Sequence, residues 1–328
     1  MKIYILFIAI ALTALFTSCG SDEPETESVI TIEDVSVARQ RQFAERYGLS
    51  KESVLELRSF SGIGSDNIGA YSGCKDGNVA IFICDTLANK ALYSNFNALS
   101  FQSKEEFLFP YGEKKQFDFS TFGLTSLAKN PDLIAFSGYA VFGEAGTPNS
   151  ACKYFQFLYF KGNLKCVERP HDVKRIYYDL DKVINWFDNS VLFYRNANKD
   201  YPNENKVVCF DKNGERKFDA PYPYFDEDHK VYDLFNADII QPLTMNTAIG
   251  IKESGGSITA FLTDVPNHKI IWTNSVHIDN YKERDIIEFE NASFNNNILE
   301  FYINITSFNG DKRRLLCKVD TNGSILVN

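Results

Sequence analysis

The most constraining feature of the sequence is a group of short apolar runs that recurs along the chain together with its turns. Two such runs, residues 191–194 and 207–210, are followed by a tight turn at residues 211–214. The end of the chain repeats this order, because the run 315–319 leads into a turn at residues 320–323. Both turns read Asp-x-Asn-Gly, and Asn-Gly supplies the positive φ angles that a tight hairpin needs. The repeat therefore predicts consecutive antiparallel strands.

Five sets of strands can be recognised in this way, and the remaining copies lie at residues 68–93, 133–167 and 248–272. One more candidate strand precedes each set, at residues 54–60, 117–124, 175–180, 230–235 and 286–289. Four strands recurring at a spacing of roughly 50 residues is the period of a β-propeller blade. A lone four-stranded sheet cannot bury two apolar faces, whereas sheets packed around an axis bury both. We therefore predict an all-β fold, a β-propeller of five four-stranded blades. Six blades and a pair of β-sandwiches are the alternatives.

Two parts of the chain depart from this repeat. Residues 101–130 make the second set too long and are expected to hold extra strands. Residues 34–50 instead have helical spacing of apolar side chains from Val35 to Tyr47, with Asp34 as a candidate N-cap and Gly48 at the end. The sequence thus predicts one short helix before a propeller domain at residues 51–328.

The balance of charge argues against binding to nucleic acid. The chain has a formal net charge of −9, which becomes −10 once the single positive charge of Lys2 is removed with the first 18 residues. Proteins that bind nucleic acid need clustered Lys and Arg to displace counterions. The same acidity disfavours electrostatic adhesion to anionic lipid.

The N-terminus has the build of an export signal that ends at a cysteine. Lys2 precedes an almost unbroken apolar segment at residues 3–16, which is too short for a spanning helix. The junction Phe16-Thr17-Ser18-Cys19 resembles a bacterial lipobox, where the peptide is cut before the cysteine and the thiol is acylated. Three acyl chains on one residue exceed the threshold for stable anchoring. We therefore expect residues 1–18 to be a signal peptide and Cys19 to be lipidated, with an ordinary signal peptide as the alternative.

Together these features resemble the β-propeller lipoproteins of Bacteroidetes, many of which have no assigned role. The resemblance rests on the lipobox, on the acidic residues Ser21-Asp22-Glu23 and on the blade-like sets. It implies that residues 19–33 form a lipidated acidic tether and that the protein lies at the cell outer membrane, lipid-anchored and exposed at the surface. Fold alone implies no activity.

Cysteine and histidine usage gives no sign of a metal centre. Besides Cys19 the chain has six cysteines, of which Cys84, Cys209 and Cys317 each sit inside an apolar run. We expect thiols that fill the core, with disulfides as the alternative. The absence of Cys-x-x-C pairs and of His clusters predicts no zinc site, and the acidic triplet 226–228 lacks the spacing of a calcium loop. No cofactor is predicted.

Aromatic residues in connections are the strongest indication of binding. Tyr222 and Tyr224 alternate with prolines between two sets, and Trp186 and Tyr201 lie in nearby turns. Flat rings with a polar edge stack on sugars and other amphipathic ligands. We predict that these four side chains form a binding platform for a glycan, a peptide or a protein partner.

Catalysis has weaker support. The four histidines stand in no motif with a nucleophile. Five-bladed propellers include glycosidases, which need two carboxylates flanking a sugar; the candidates here are Asp179, Asp181, Asp233 and Glu288. The sequence therefore predicts a non-catalytic, lipid-anchored binding or scaffold protein. A carbohydrate-active hydrolase that uses these carboxylates and a surface immunity lipoprotein are the alternatives.

Overall fold

The computed structural model describes residues 35–65, 67–108, 112–144, 147, 149–168, 182–195, 205–222, 224–225 and 231–328. Nearly all of them belong to strands, and the strands form five main antiparallel sheets in chain order. Strand β1 (Arg58–Ser65) begins sheet 1, which continues with β2 (Ile68–Lys75), β3 (Asn78–Asp85) and β4 (Lys90–Ser100). Each strand pairs with the next one along the chain.

Sheet 2 is longer than the others, as the sequence predicts for residues 101–130. It comprises β5 (Lys104–Leu108), β6 (Lys114–Asn130), β7 (Leu133–Gly143), β8 (Ser150–Phe160) and β9 (Asn163–Glu168). Strand β6 is 17 residues long and serves two partners, because β5 pairs with its first residues and β7 with the remainder. The extra strand β5 is thus an addition to an otherwise four-stranded blade.

The second half of the chain contains three four-stranded sheets and one ribbon. Sheet 3 comprises β10 (Lys182–Asn185), β11 (Ser190–Arg195), β12 (Lys206–Asp211) and β13 (Arg216–Pro221). The ribbon pairs β14 (Tyr224–Phe225) with β15 (Val231–Tyr232). Sheet 4 comprises β16 (Ile239–Pro242), β17 (Thr247–Ser254), β18 (Ser257–Asp264) and β19 (Lys269–His277). Sheet 5 comprises β20 (Ile286–Asn295), β21 (Ile298–Thr306), β22 (Lys312–Asp320) and β23 (Ile325–Val327).

The sheets pack face to face in chain order, each against the next. One hydrophobic cluster joins sheets 1 and 2, a second joins sheets 2 and 3, a third joins sheets 3 and 4, and a fourth joins sheets 4 and 5. The innermost strands of neighbouring sheets contact one another. Strand β1 contacts β6, which is the first strand of the four-stranded part of sheet 2, and β16 contacts β20. Consecutive four-stranded sheets packed in this way, with their first strands innermost, are the blades of a β-propeller. The prediction of an all-β propeller with five blades is confirmed.

The outer faces of the first and last sheets, sheet 1 and sheet 5, differ in what covers them. The free face of sheet 1 is covered by helix α1 (Val35–Tyr47), which packs Phe43, Ala44 and Tyr47 against Phe82. The outward face of sheet 5 carries ion pairs that link Glu300 to Lys318 and Glu290 to Arg314. Within the described residues, no hydrophobic cluster joins sheet 5 to sheet 1. Helix α1 therefore lies on the face of sheet 1 that the last blade would otherwise cover.

The predicted helix is present, but two predicted first strands differ from the structure. Residues 54–60 divide into a short helix α2 (Lys51–Leu55) and the start of β1, because Val54 is buried beneath the helical turn against sheet 1. In the predicted strand 230–235, the described residues 231–235 contribute to the ribbon and to a 3-10 turn, so that sheet 4 begins later, at Ile239. The predicted strand 175–180 lies outside the described residues.

The two Asp-x-Asn-Gly turns have the same geometry, as their sequences predict. Asp211 Oδ1 accepts hydrogen bonds from the backbone N–H groups of Asn213 and Glu215, at 2.8 and 3.0 Å. Asp320 Oδ1 accepts from the equivalent N–H groups of residues 322 and 324, both at 2.9 Å. The glycine that follows has φ of +75° in the first turn and +93° in the second. Such a φ is readily adopted only by glycine, so the sequence fixes both hairpins.

Candidate functional site

A cleft of about 590 Å³ lies between the ribbon region that follows sheet 3 and one face of sheet 4. Its lining combines two aromatic rings with hydroxyl, amide and charged groups. The lining residues are Tyr232, Asp233, Asn236, Lys252, Ser254, Thr259, Phe261 and Ser275. Pockets of this kind, in which a few convergent polar groups meet an apolar wall, are the usual sites of small-ligand binding.

Asp233 stands at one wall of the cleft and caps the 3-10 turn Leu234–Asn236. Its Oδ1 accepts hydrogen bonds from the backbone N–H groups of Phe235 (2.9 Å) and Asn236 (3.2 Å). Burial raises the pKa of the Asp233 carboxyl above its usual value, and these N–H donors together with nearby Lys182 act in the opposite direction. The cleft thus holds a carboxyl that takes up a proton more readily than an exposed one does.

The opposite wall is built from two rows of polar side chains on sheet 4. Residues that pair across antiparallel strands point to the same face. Lys252 pairs with Thr259 and Thr259 with Ser275, which gives a first polar row. A second polar row lies next to the β17–β18 turn and is formed in the same way by the residues Ser254, Ser257 and His277. The row before them contains the ring of Phe261, which is buried.

The polar rows differ from the apolar surfaces on the opposite face of sheet 4 and on the facing side of sheet 5. On the opposite face of the same strands, Ile251, Ile258 and Ala260 are fully buried against sheet 5. On sheet 5 the face toward sheet 4 is likewise apolar along the whole of β21, from Leu299 to Ile305. Polar side chains at core positions cost free energy unless they are paired, and they often serve a function. The face of sheet 4 toward sheet 3 is therefore polar where its opposite face is apolar, and the cleft opens at this point.

The polar groups of the cleft are already engaged with one another. Thr259 Oγ1 and Ser275 Oγ share a hydrogen bond of 2.8 Å, and Ser257 Oγ lies 3.3 Å from Nδ1 of His277. The ammonium group of Lys252 lies 3.2 Å from Oδ1 of Asp238. A hydroxyl group can donate one hydrogen bond and accept two, so each of these side chains can still bind a ligand. The arrangement therefore offers a hydrogen-bonding surface whose charges are locally compensated.

Trp186, a predicted platform residue, belongs to the core between sheets 3 and 4. Only 3% of its surface is exposed. Its indole Nε1 donates a 2.8 Å hydrogen bond to the carbonyl oxygen of Met245, in the turn between β16 and β17. The ring therefore ties two blades together, and it has no exposed face on which a ligand could stack. The prediction that Trp186 belongs to an exposed binding platform does not hold for this buried ring.

Tyr222 is also a core residue, with 5% of its surface exposed. Its hydroxyl accepts a hydrogen bond of 3.1 Å from the backbone N–H of Phe235, and its ring packs against those of Tyr194 and Phe235. The prolines beside it signal a connection, but this connection folds inward over sheet 3. Tyr222 supports the 3-10 turn of the cleft from behind.

The other predicted site residues are placed only in part. Tyr201 lies outside the described residues, and of Tyr224 the structure describes the backbone in β14. Among the candidate carboxylates, Asp179 and Asp181 also fall outside. Glu288 lies on β20, where it is exposed and pairs with Asn304 on the outward face of sheet 5, away from the cleft. Asp233 is thus the candidate carboxylate that the described structure places in the cleft.

Sequence reasoning missed the two polar rows, although a signal for them was present. Along β17 the residues Gly250, Lys252 and Ser254 alternate with Ile249 and Ile251. This alternation predicts a strand with one polar face, but it does not say whether a neighbouring blade covers that face. The register of β18 and β19 is needed to bring the hydroxyl groups together.

A second cleft, of about 690 Å³, lies between α1 and β1. Its walls combine apolar side chains that hold the helix on sheet 1, including Phe43 and Leu57, with polar ones that include Arg39, Glu56 and Arg58. The buried Gln40 amide donates a hydrogen bond of 2.6 Å to the carbonyl oxygen of Leu57 across the junction. This cleft follows from the packing of a helix on a sheet, and the Gln40 hydrogen bond closes part of that junction.

The remaining sequence expectations concern cysteines, metals and the membrane. Five of the six cysteines that follow Cys19 are buried thiols, which confirms the prediction that these five fill the core, and Cys166 is exposed. Burial raises the pKa of the Cys84, Cys152, Cys209 and Cys317 thiols to about 12. Among the described residues no group of His, Cys, Asp or Glu is arranged to hold a metal ion. In the same part of the chain no helix has the length and apolarity to cross a membrane.

Comparison with known proteins gives structural likeness only. No protein-family model and no curated protein matches the sequence. The WD40 domain of SCAP from fission yeast is 12% identical, with a TM-score of 0.33, over 84% of this chain and 56% of that one. The subtype N11 neuraminidase-like protein of A/flat-faced bat/Peru/033/2010 (H18N11) is 10% identical, with a TM-score of 0.36, over 81% and 72%. A GH43_1 enzyme from Xanthomonas citri, complexed with xylotriose, is 8% identical, with a TM-score of 0.31, over 89% and 94%.

These neighbours are β-propeller proteins, and they include both binding domains and glycoside hydrolases. In four of the matched structures the chain spans less than two thirds of the other chain, at 62, 66, 56 and 53% of its length. At such low identities and TM-scores, the likeness carries no argument about activity. The assignment of the fold therefore rests on the order and packing of the sheets themselves.

Proposed function

We propose that this chain is a lipid-anchored, non-catalytic binding protein of the cell outer membrane, exposed at the surface, and that its ligand site is the cleft on sheet 4. In this proposal residues 1–18 are removed, Cys19 carries the lipid, and residues 19–33 tether the propeller to the membrane. The support for the anchor is the sequence Phe16-Thr17-Ser18-Cys19 behind its apolar run. The partners are then the membrane, through the lipid, and a glycan, peptide or protein ligand.

One observation carries the proposal of a ligand site. Sheet 4 presents Lys252, Thr259 and Ser275 to the cleft, whereas the opposite face of the same strands is apolar and packs against sheet 5. Burying these side chains without partners would cost free energy, so sheet 3 does not cover them. A surface that is open, polar and bounded by aromatic rings is suited to a polar ligand that competes with water.

The anchor is tested by metabolic labelling with radioactive palmitate. The unaltered chain is expected to take up the label and to fractionate with the outer membrane, whereas Cys19→Ala is expected to do neither. A chain that remains unlabelled without the substitution would contradict the anchor.

The ligand site is tested by retention of the full chain, extracted in detergent, on a panel of neutral polysaccharides, acidic polysaccharides and envelope proteins. Thr259→Tyr fills the cleft with a ring and is expected to abolish retention. Thr306→Tyr is the matched control, because Thr306 also lies on an inner strand that is paired on both sides, at its end and on the outward face of sheet 5. Retention that both variants keep, or retention on no member of the panel, would contradict the assignment of the cleft.

A carbohydrate-active hydrolase is a second candidate, and one observation favours it. Asp233 combines a position in the cleft with a pKa raised by burial, as a general acid requires. A glycosidase needs a second carboxylate across the sugar, and the described lining of the cleft supplies Asp233 alone. Hydrolysis of a retained polysaccharide that disappears in Asp233→Asn would establish the hydrolase, whereas retention without hydrolysis would support the binding protein.

A further inference from the structure

We propose that the ligand of this cleft is an uncharged oligosaccharide of at least two sugar units, lying along the strand direction over the two polar rows of sheet 4. The inference rests on the proposed function, because it names the ligand class of the same cleft. Three properties of the described residues support it: the type of polar group, the state of the charges and the length of the surface.

The type of polar group favours a polyhydroxylated ligand over a peptide. Strand β18 is paired along both edges, and β17 is paired with β16 as far as Ile251. Beyond that point the backbone N–H of Glu253 donates to Oδ2 of Asp238, so these backbone donors are already engaged. On this face the ligand meets side-chain hydroxyl groups, those of Ser257, Thr259 and Ser275. An extended peptide binds chiefly through backbone hydrogen bonds at the edge of a sheet. Hydroxyl groups that both donate and accept instead match the hydroxyl groups of a sugar.

The state of the charges favours an uncharged ligand. The ammonium group of Lys252 already contacts the carboxylate of Asp238 at 3.2 Å. The carboxyl group of Asp233 already accepts two backbone N–H groups and the side-chain amide of Asn236. An anionic ligand would compete with Asp238 for Lys252 and would be repelled by the carboxylates of Asp233 and Asp238, and a cationic ligand would be repelled by Lys252. A neutral ligand can add hydrogen bonds while both arrangements stay in place.

The length of the surface favours more than one sugar unit. Ser257 in the second polar row lies four residues along β18 from Phe261, which corresponds to about 14 Å at 3.4 Å per residue. The rings of Tyr232 and Phe261, whose centroids are 5.3 Å apart, close the inner end of the cleft. Ser254 of the second polar row lines the outer end of the cleft, and Ser257 and His277 continue the same face beside the β17–β18 turn. A single sugar ring would occupy the first polar row and leave the second to water.

The test is calorimetry on the full chain in detergent with neutral malto-, xylo- and mannooligosaccharides of one to four units. An anionic trisaccharide from polygalacturonate is the charged comparator. At least one neutral series is expected to bind with affinity that rises from one unit to three. Ser275→Ala in the first polar row is expected to weaken every bound member of that series about two- to tenfold, the effect of one lost hydrogen bond.

The second polar row gives a sharper readout. Ser257→Ala is expected to weaken the trisaccharide about two- to tenfold and to leave the monosaccharide unchanged. Thr306→Val, on the outward face of sheet 5, is the control and should leave both affinities unchanged. An affinity independent of chain length would overturn the inference. So would an equal effect of all three variants, or binding of the anionic comparator alone.

Failure of this inference can be separated from failure of the proposed function. If no neutral oligosaccharide binds but Thr259→Tyr abolishes retention on another member of the panel, the cleft is the site and the ligand class is wrong. If Thr259→Tyr retains every ligand that the unaltered chain binds, both proposals fail.

Discussion

Replacing Trp186 by phenylalanine separates a core role from a ligand-binding role at this position. The indole Nε1 donates a hydrogen bond of 2.8 Å to the carbonyl oxygen of Met245, and 3% of the residue is exposed. Phenylalanine keeps most of the apolar contact but leaves that carbonyl without its donor. A buried polar group that loses its partner costs about 1–3 kcal/mol. We therefore expect Trp186→Phe to lower the free energy of unfolding by about 1–3 kcal/mol, and Trp186→Ala by about 3–5 kcal/mol.

Urea denaturation followed by circular dichroism measures this change. The chain has two tryptophans, so the fluorescence of Trp186→Phe reports on Trp272 alone. Trp272 donates a 3.0 Å hydrogen bond to the carbonyl oxygen of Thr321 at the next blade interface, which makes Trp272→Phe a matched variant. Ligand retention should be unchanged in Trp186→Phe at urea concentrations where it is folded. Unaltered stability together with weakened retention would refute the core assignment.

Three further substitutions test separate parts of the structure. Asp320→Ala removes the acceptor of two turn N–H groups and should lower the free energy of unfolding by about 1 kcal/mol at pH 7. Because hydrogen bonding from the Ser324 N–H lowers the pKa of Asp320, this difference should shrink in urea titrations as pH falls below about 4. Burial raises the pKa of Asp233, so ionisation of this carboxyl destabilises the fold as pH rises through that pKa. Asp233→Asn can still cap the turn, so it should be at least as stable as the unaltered chain at pH 7 and should lose that advantage in acid. Lower stability of the variant at pH 7 would contradict this. Gly250→Ala would place a Cβ 2.3 Å from the ring of Phe261, so its melting temperature should fall by an amount equivalent to about 1–3 kcal/mol, and an unchanged melting temperature would show that the ring is free to move.

The repeat of strands could be predicted from the sequence because its signals are local. Asp211 and Asp320 stand at the same position of the same four-residue turn, and the side chain of each accepts the same backbone N–H groups in the structure. The extra strand of sheet 2 was indicated by the excess length of that set. The helix was indicated by the spacing from Val35 to Tyr47, and the structure shows where it packs.

The site could not be predicted from local signals because it depends on which face of a strand a neighbour covers. Trp186 and Tyr222 lie beside turns and prolines, which indicates a connection but not the direction in which its rings point. Both rings turn inward, since each has a backbone partner there. Thr259 and Ser275 are 16 residues apart in sequence, and only the register of β18 and β19 brings their hydroxyl groups to 2.8 Å.

A crystal structure of the chain soaked with a neutral trisaccharide tests the central claim most directly. We expect electron density for the sugar in the cleft on sheet 4, within hydrogen-bond distance of Thr259 and Ser275 and extending toward Ser257. Density in the cleft between α1 and β1, with the sheet 4 cleft filled by solvent, would contradict it.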